Sequence, residues 1–234
     1  MVRSRRSAGI AAATLVVTII VAGCARGQGD IATGCAGGQA DVVAAQQNDE
    51  TAVCAAFAAY RKALLDRNAP AALTLVPDST IEYYDSLAEV AGTGGPEEIG
   101  ARSMIDRMTI AVLRTQYTTA DLATMDGRQL FCANVETGRI DSSTPTDAEL
   151  GTVRIAGDRA YLQIVADGTP TPVDLEFVHA DGAWLFDVVA AHRVVNSVME
   201  DGARQTGLPE DKLIFEAVES VTGQQIDESI FARP

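Results

Sequence analysis

Apolar residues recur at helical spacing in the part of the chain that follows residue 48. Four large side chains are three or four positions apart, so they share one face of a helix. Short runs rich in Asn, Pro and Gly interrupt this pattern, and helical spacing resumes after each run. We therefore predict a series of helices over residues 49–138, one of them running on from Pro96. The four side chains of the opening helix are Val53, Phe57, Tyr60 and Leu64.

From residue 150 onward the spacing changes to the two-residue alternation of β-strands. Turn sequences containing Gly and Asp separate the alternating segments, as in β-hairpins. We predict a four-stranded antiparallel meander with an apolar and a polar face, followed by helices over residues 191–204 and 209–221. The fold class is α+β, with a single domain over residues 49–234. The predicted strands are residues 150–155, 160–165, 172–179 and 183–189.

Short turns fix the register of such a meander, and the register predicts one row across its polar face. In this row Glu176 and Asp187 are neighbours, and like charges opposite each other destabilise a hairpin. Two close carboxylates can share a proton or hold a hard cation. Alternatively Arg154 and water relieve the repulsion, or the row is a surface that contacts another protein. The row consists of Arg154, Tyr161, Glu176 and Asp187.

The N-terminal segment has the pattern of a secretory signal. Three arginines precede the uncharged residues 7–23, and small residues follow the apolar run. The end of this run, Val21-Ala22-Gly23-Cys24, resembles the lipobox of bacterial lipoproteins. The resemblance implies cleavage between Gly23 and Cys24 and acylation of the Cys24 sulfur. An ordinary secretory signal is the alternative, whereas the run barely reaches the roughly 20 residues of a membrane span.

The lipobox implies a location at the outer face of the bacterial cytoplasmic membrane. Residues 1–23 are then the signal peptide, and residues 24–48, rich in Gly, Ala and Gln, are predicted to be a flexible tether. Cleavage removes three arginines and no acid, which leaves 15 basic and 32 acidic residues and a net charge of −17. This charge repels phosphate backbones and anionic headgroups. We therefore exclude nucleic-acid partners and assign the membrane contact to the lipid on Cys24.

The cysteine content is compatible with more than one pairing. With Cys24 acylated, Cys35, Cys54 and Cys132 remain, which is an odd number in a compartment that permits disulfides. Cys54 and Cys132 both fall in predicted helices, and they either form a disulfide or stay as two buried free thiols. The spacings contain no CxxC or Cys/His pair, so we predict no structural metal site.

Two stretches are similar to the nuclear transport factor 2-like superfamily, also called SnoaL-like or cystatin-like. They are the amphipathic residues 55–64, followed by Asp66-Arg67-Asn68, and the later run of residues 177–187. The resemblance extends over about residues 50–190. It implies that N-terminal helices pack into the concave face of a curved antiparallel sheet and enclose an apolar cavity.

His179 is the first candidate for chemistry at such a cavity. Alternation places it on the apolar side of the sheet, opposite Trp184, and we expect a pocket rim formed by His179, Trp184 and Tyr84. A histidine there could act as a general base, since its unperturbed pKa is near 6.5. The alternative is a partly solvated imidazole that stacks on Trp184. His192, after the last strand, is a weaker candidate.

Enzymes of this superfamily place Asp, Tyr or His groups inside the cavity, and this resemblance directs attention to a second set. Tyr83, Tyr84, Asp85 and Asp106 could approximate such a constellation. The alternative is that Tyr84 belongs to the core and that both aspartates are solvated helix charges.

No recognised catalytic motif occurs in the sequence. It has no G-x-S-x-G, no H-E-x-x-H, no phosphate-binding glycine loop and no EF-hand loop. We therefore expect no catalytic residue, no metal and no cofactor. The leading prediction is non-catalytic binding of a protein partner or an apolar small molecule. The alternatives are an isomerase or hydratase that uses His179 or a buried Asp/Tyr pair, and a structural envelope protein.

Overall fold

The structure is a computed structural model that describes residues 42–139 and 149–234, with side chains from residue 48. The signal peptide, Cys24 and the tether up to residue 41 lie outside the described residues. Helix α1 begins at Val42, inside the segment predicted as tether, so regular structure starts seven residues earlier than expected. None of the described helices has the length and apolar character that crossing a bilayer demands.

The helical first half is confirmed. Polar caps set several of the boundaries: Asn68, Ser103, Thr118 and Asp126 each accept a hydrogen bond from a backbone N–H in the first turn that follows. The helix expected to run on from Pro96 is two helices, because Ser103 caps a new one. The described helices of this half are α1 (Val42–Leu65), α2 (Ala69–Leu73), α3 (Asp78–Thr93), α4 (Pro96–Gly100), α5 (Met104–Gln116), α6 (Thr119–Leu122) and α7 (Gly127–Glu136).

The predicted antiparallel meander is also confirmed, with strand order β1-β2-β3-β4. Two of its turns, Asp167-Gly168 and Asp181-Gly182, have positive φ at both central residues, which suits the right-handed twist of a hairpin. The pairing of β1 with β2 shifts between Leu150 and Val153, where the strand bulges. The strands are β1 (Glu149–Ala156), β2 (Arg159–Ala166), β3 (Thr169–Ala180) and β4 (Ala183–Phe186).

The last strand is shorter than predicted. β4 ends at Phe186 instead of residue 189, because the Asp187 carboxylate accepts a 2.9 Å hydrogen bond from the Ala190 N–H and caps the next helix. The cap overrides the apolar alternation that continues through Val188. The C-terminal elements are α8 (Val188–Thr206), α9 (Glu210–Thr222) and a 3₁₀ helix (Glu228–Phe231).

Aromatic rings from α1 and the sheet form the core between them. The Phe57 ring centroid lies 6.3 Å from that of Phe177 and 6.0 Å from that of Phe186, and Tyr60 lies 4.7 Å from Phe186. All four side chains are almost fully buried. These rings pack against one another in the region where the family resemblance implies an apolar cavity.

Arg114 of α5 joins the end of α3 to the C-terminal tail. Carbonyl groups in the last turn of a helix lack intrahelical partners, and here the guanidinium supplies donors to them. Burial lowers the pKa of Arg114. Its N–H groups donate hydrogen bonds of 2.7–3.2 Å to five backbone oxygens: those of Val90, Ala91, Gly94, Ile230 and Ala232.

Candidate functional site

His179 lies at the exposed end of the sheet. Its ring stacks on Trp184 with centroids 4.9 Å apart, and the Trp184 Nε1–H donates to the Asp49 carboxylate over 3.4 Å. Tyr84 packs elsewhere, against Phe131 of α7, among the helices that we call the helical layer (α3 and α5–α9). The structure therefore brings together two members of the predicted rim and separates the third. This is the stacked, solvated imidazole that the sequence offered as the alternative to a catalytic base.

Three polar side chains from separate helices meet in the helical layer. We call Tyr83 of α3, Asp106 of α5 and His192 of α8 the three-helix seam. The Tyr83 hydroxyl lies 2.5 Å from Asp106 Oδ1 and 3.1 Å from His192 Nδ1. The rings of Tyr83 and His192 also meet edge to face, with centroids 5.4 Å apart. All three side chains are half-buried.

The distances assign the protons of the three-helix seam. A phenol has one proton, and the 2.5 Å contact to a carboxylate is the charge-assisted one, so Tyr83 donates to Asp106. The phenol oxygen must then accept the Nδ1–H of His192, which leaves Nε2 as the unprotonated nitrogen. Burial lowers the pKa of His192 to about 4 despite the opposing charge of Asp106. Burial, reinforced by Asp106, raises the pKa of Tyr83.

A second pair of contacts holds the start of α5 against α8. Asn196, one turn after His192, accepts a 3.2 Å hydrogen bond from the backbone N–H of Ile105 and donates to Glu200 over 2.7 Å. The Ser103 hydroxyl caps the same helix end through the Asp106 N–H. Backbone and side-chain contacts therefore converge on the N-terminus of α5.

The second candidate set is only partly assembled. Tyr83 and Asp106 are in contact, whereas the buried Tyr84 belongs to the core and burial raises its pKa. Asp85 is not a free surface charge, because its carboxylate accepts a hydrogen bond from the Gly127 N–H at the start of α7. Gly127 is required there, since a Cβ would collide with the backbone of α3.

His192 ranked below His179 as a candidate from the sequence, but the structure places His192 in the three-helix seam. The strand predicted to end at residue 189 left it at the start of a helix with no defined partner. In the structure α8 begins at Val188, and His192 occupies the second turn, beside Tyr83. The spacing of His192 and Asn196, one helical turn apart in the mostly apolar first half of the helix, is the signal that could have identified a polar face.

Glu176 and Asp187 are neighbours across the hairpin, as predicted. The arginine beside them is not the predicted one. The Asp187 N–H donates to the Glu176 carbonyl oxygen over 2.9 Å, so the two residues are neighbours. Arg159 lies between their carboxylates, 3.5 Å from Glu176 and 3.3 Å from Asp187. Arg193 approaches Glu176 at 3.9 Å. The expectation that Arg154 relieves this pair is therefore wrong, and the buried Asp187 carboxylate serves as a helix cap and ion-pair partner.

Arg154 instead orders the exposed part of the row. Its guanidinium lies 4.0 Å from the centroid of the Tyr161 ring and 3.7 Å from the Asp174 carboxylate. The Arg154 side chain remains 62% exposed. This part of the polar face is therefore a surface on which an aromatic ring and an arginine are accessible together.

The cysteine prediction is wrong. Cys132 carries a free thiol, whose pKa is raised mainly by burial. Cys54 is disulfide-bonded, so neither the Cys54–Cys132 disulfide nor a pair of free thiols is present. Within residues 42–139 and 149–234, no three His, Cys, Asp or Glu side chains are grouped as metal ligands would be.

No protein-family model, no curated protein and no solved structure matches this chain. The nuclear transport factor 2-like resemblance therefore rests on the quoted residues and stays a prediction.

Proposed function

We propose that this chain is a lipoprotein, anchored through acylated Cys24 at the outer face of a bacterial cytoplasmic membrane, whose domain binds a protein partner without catalysis. The stack of the exposed Arg154 on the half-buried Tyr161 ring, on the outer face of the sheet, carries the binding proposal. Arginine and tyrosine are enriched among the residues that contribute most to protein interfaces. The Asp174 carboxylate lies 3.7 Å from the arginine, so the stack forms part of a polar cluster on this face.

The interior supports a protein partner over an apolar small molecule. A small-molecule site is usually a preformed concave pocket, whereas the rings of Phe57, Tyr60, Phe177 and Phe186 pack together between α1 and the sheet. An open depression does occur at the end of α3, away from the sheet. Its lining residues are Gly95, Pro96, Glu97, Glu98, Ala101 and Arg233.

The anchoring proposal rests on the lipobox and on charge. A net charge of −17 after cleavage opposes direct contact with anionic headgroups, so a covalent lipid is the membrane contact that fits. The test is membrane fractionation of the full chain and of Cys24→Ser in a bacterial host, with mass spectrometry of the mature N-terminal peptide. We expect diacylglycerol on the Cys24 peptide and loss of the variant from the membrane fraction. An unmodified Cys24 would overturn the anchor.

The binding proposal is tested separately by photo-crosslinking in cells. A photoreactive phenylalanine analogue replaces Tyr161, and the control places it at Val221, which is 64% exposed on α9. We expect a defined crosslinked protein from position 161 and none from position 221, with the crosslink reduced by Arg154→Glu. Equal labelling from both positions, or none from 161, would contradict an interface on the sheet and favour a structural envelope protein.

One observation favours a second candidate function, an enzyme that uses a buried Asp/Tyr pair. The three-helix seam joins a carboxylate, a phenol and a neutral imidazole, a combination that can move a proton. However, the depression at the end of α3 does not include Tyr83, Asp106 or His192 in its lining. Turnover of any substrate that disappears in Tyr83→Phe but persists in Tyr161→Phe would make this candidate the better one.

A further inference from the structure

We propose that the three-helix seam is an acid-sensitive joint, in which protonation of His192 loosens α8 from α3 and α5. This inference concerns the conformation of the domain and is independent of whether the sheet binds a protein. It starts from the proton assignment of the three-helix seam, in which Tyr83 donates to Asp106 and accepts from His192.

A second proton on His192 has no acceptor among the described side chains that contact the ring. The proton would enter at Nε2, and His192 Nδ1 makes the one hydrogen bond that the imidazole has among the described residues. The Asp106 carboxylate is the negative charge that acts on His192, and its Oδ1 already accepts the hydrogen bond from Tyr83. The remaining ring neighbour, Tyr84, is a buried phenol whose ring centroid lies 6.2 Å from that of His192. An imidazolium would therefore be poorly solvated between the two tyrosine rings.

Two acidic residues near the three-helix seam have other partners. Glu176 of β3 faces Arg159 and Arg193, and Glu200 of α8 accepts from Asn196.

The acids of α9 are also occupied. Glu210 and Asp211 pair with Arg107 of α5. On α3, Ser86 accepts a hydrogen bond from Arg102, whose positive charge would oppose a second cation near Tyr83. Asp106 is the carboxylate that raises the pKa of His192, against the larger lowering effect of burial.

The direction of the pH effect follows from the lowered pKa of His192. Burial holds this pKa at about 4 in the folded protein, below the ordinary value of 6.5. Between these two values the unfolded chain binds the proton more readily, so the contribution of the three-helix seam to stability is complete above about pH 6.5 and falls as the pH drops towards 4. The same proton favours any open form in which α8 exposes His192 to water.

Histidine NMR of the mature protein provides a direct test, because the chain contains two histidines. His192 and His179 are assigned by their loss in His192→Asn and His179→Asn. We expect the His192 resonance to titrate well below the ordinary histidine value of 6.5. Titration of His192 near pH 6.5 would overturn the proposal, and this readout needs no variant that is stable at low pH.

A second measurement locates the opening. His192→Asn keeps a side-chain N–H in the place of Nδ1–H but cannot take up a proton. Between pH 7 and pH 4.5 we expect the unfolding equilibrium constant of the wild type to rise at least about tenfold more than that of His192→Asn, and His179→Asn to behave as the wild type. Backbone amide exchange, corrected for its intrinsic pH dependence, should increase first in α8 and at the start of α5. Equal losses of stability in the wild type and in His192→Asn would contradict the proposal. So would amide exchange that rises uniformly along the chain.

Discussion

The sheet and the helical layer are stabilised by different kinds of contact. Under the sheet, aromatic rings pack against α1, while the charged side chains of the sheet lie on its outer face. In the helical layer, polar groups of Arg114, Tyr83 and Asp106 are themselves the contacts between helices. The two histidines follow this division, because His179 stacks at the exposed end of the sheet and the half-buried His192 packs against a tyrosine of a neighbouring helix. In this protein, a polar side chain that joins two or more helices is therefore expected to contribute more to stability than one on the outer face of the sheet.

The largest expected effect tests the apolar side of this comparison. Phe186→Ala removes a ring in contact with Phe57, Tyr60 and Phe177, and we expect a loss of about 3–5 kcal/mol in the free energy of unfolding. The matched control is Phe215→Ala on α9, a half-buried ring whose recorded aromatic contact is Phe231, for which we expect about 1–2 kcal/mol. Denaturant titration measures both. Equal losses would show that the core is not concentrated under the sheet.

The next prediction compares two arginines. Arg114→Met leaves five backbone oxygens without their donor and should lower the free energy of unfolding by about 2 kcal/mol. It should also raise amide exchange around Ile230, because Arg114 holds the tail. Arg154→Met on the sheet removes an exposed stack and an exposed ion pair, so we expect a loss below about 1 kcal/mol. A larger loss of stability for Arg154→Met than for Arg114→Met would contradict the idea that polar contacts stabilise the packing of the helices.

Two tyrosines sharpen the comparison further. Tyr83→Phe removes one oxygen but deprives both Asp106 and His192 of a hydrogen-bond partner, so we expect a loss of about 1–2 kcal/mol. Tyr161→Phe keeps the ring beneath Arg154 and should change stability by less than about 0.5 kcal/mol. Thermal and denaturant unfolding of the two variants at pH 7 provide the test. A Tyr83→Phe protein as stable as the wild type would show that the three-helix seam contributes no net stability.

The smallest expected effect concerns the cysteines and leaves the fold unchanged. In the folded, oxidised protein a maleimide should label Cys132 and leave Cys54 unmodified, because Cys54 is already in a disulfide. Burial raises the pKa of Cys132, so labelling should be slow at pH 7 and accelerate towards pH 9. Peptide mapping after labelling distinguishes the two sites. Labelling of Cys54 without reductant would contradict this state.

Periodicity was sufficient to predict a helical first half and an antiparallel four-stranded meander, but not the start of α1 or the break between α4 and α5. It could not predict the end of β4, because the apolar alternation continues into α8 and the decision rests on one hydrogen bond from Ala190 to Asp187. The cysteine pairing failed for a related reason. Whether Cys54 and Cys132 meet depends on how two helices approach, and sequence spacing does not contain that information.

The candidate sites show the same limit. The register correctly made Glu176 and Asp187 neighbours, but Arg159 relieves their repulsion because an adjacent strand brings it between both carboxylates. The sequence singled out Tyr83 and Asp106 without pairing them with His192. His192 lies on α8, more than a hundred positions along the chain from Tyr83, so the two meet only after the helices pack.

The junction between β4 and α8 has a mechanical consequence. One residue, Asp187, separates the strand from the helix, and it is fixed at both ends, by the Glu176 carbonyl oxygen and by the cap of α8. With one intervening residue, a change in the position of the N-terminus of α8 would be transmitted directly to Asp187 beside the edge strand of the sheet. If an acidic environment tilts α8 at His192, the displacement would reach Arg159 through its ion pair with Asp187. The outer face of the sheet would then report the pH of its surroundings to whatever is bound there.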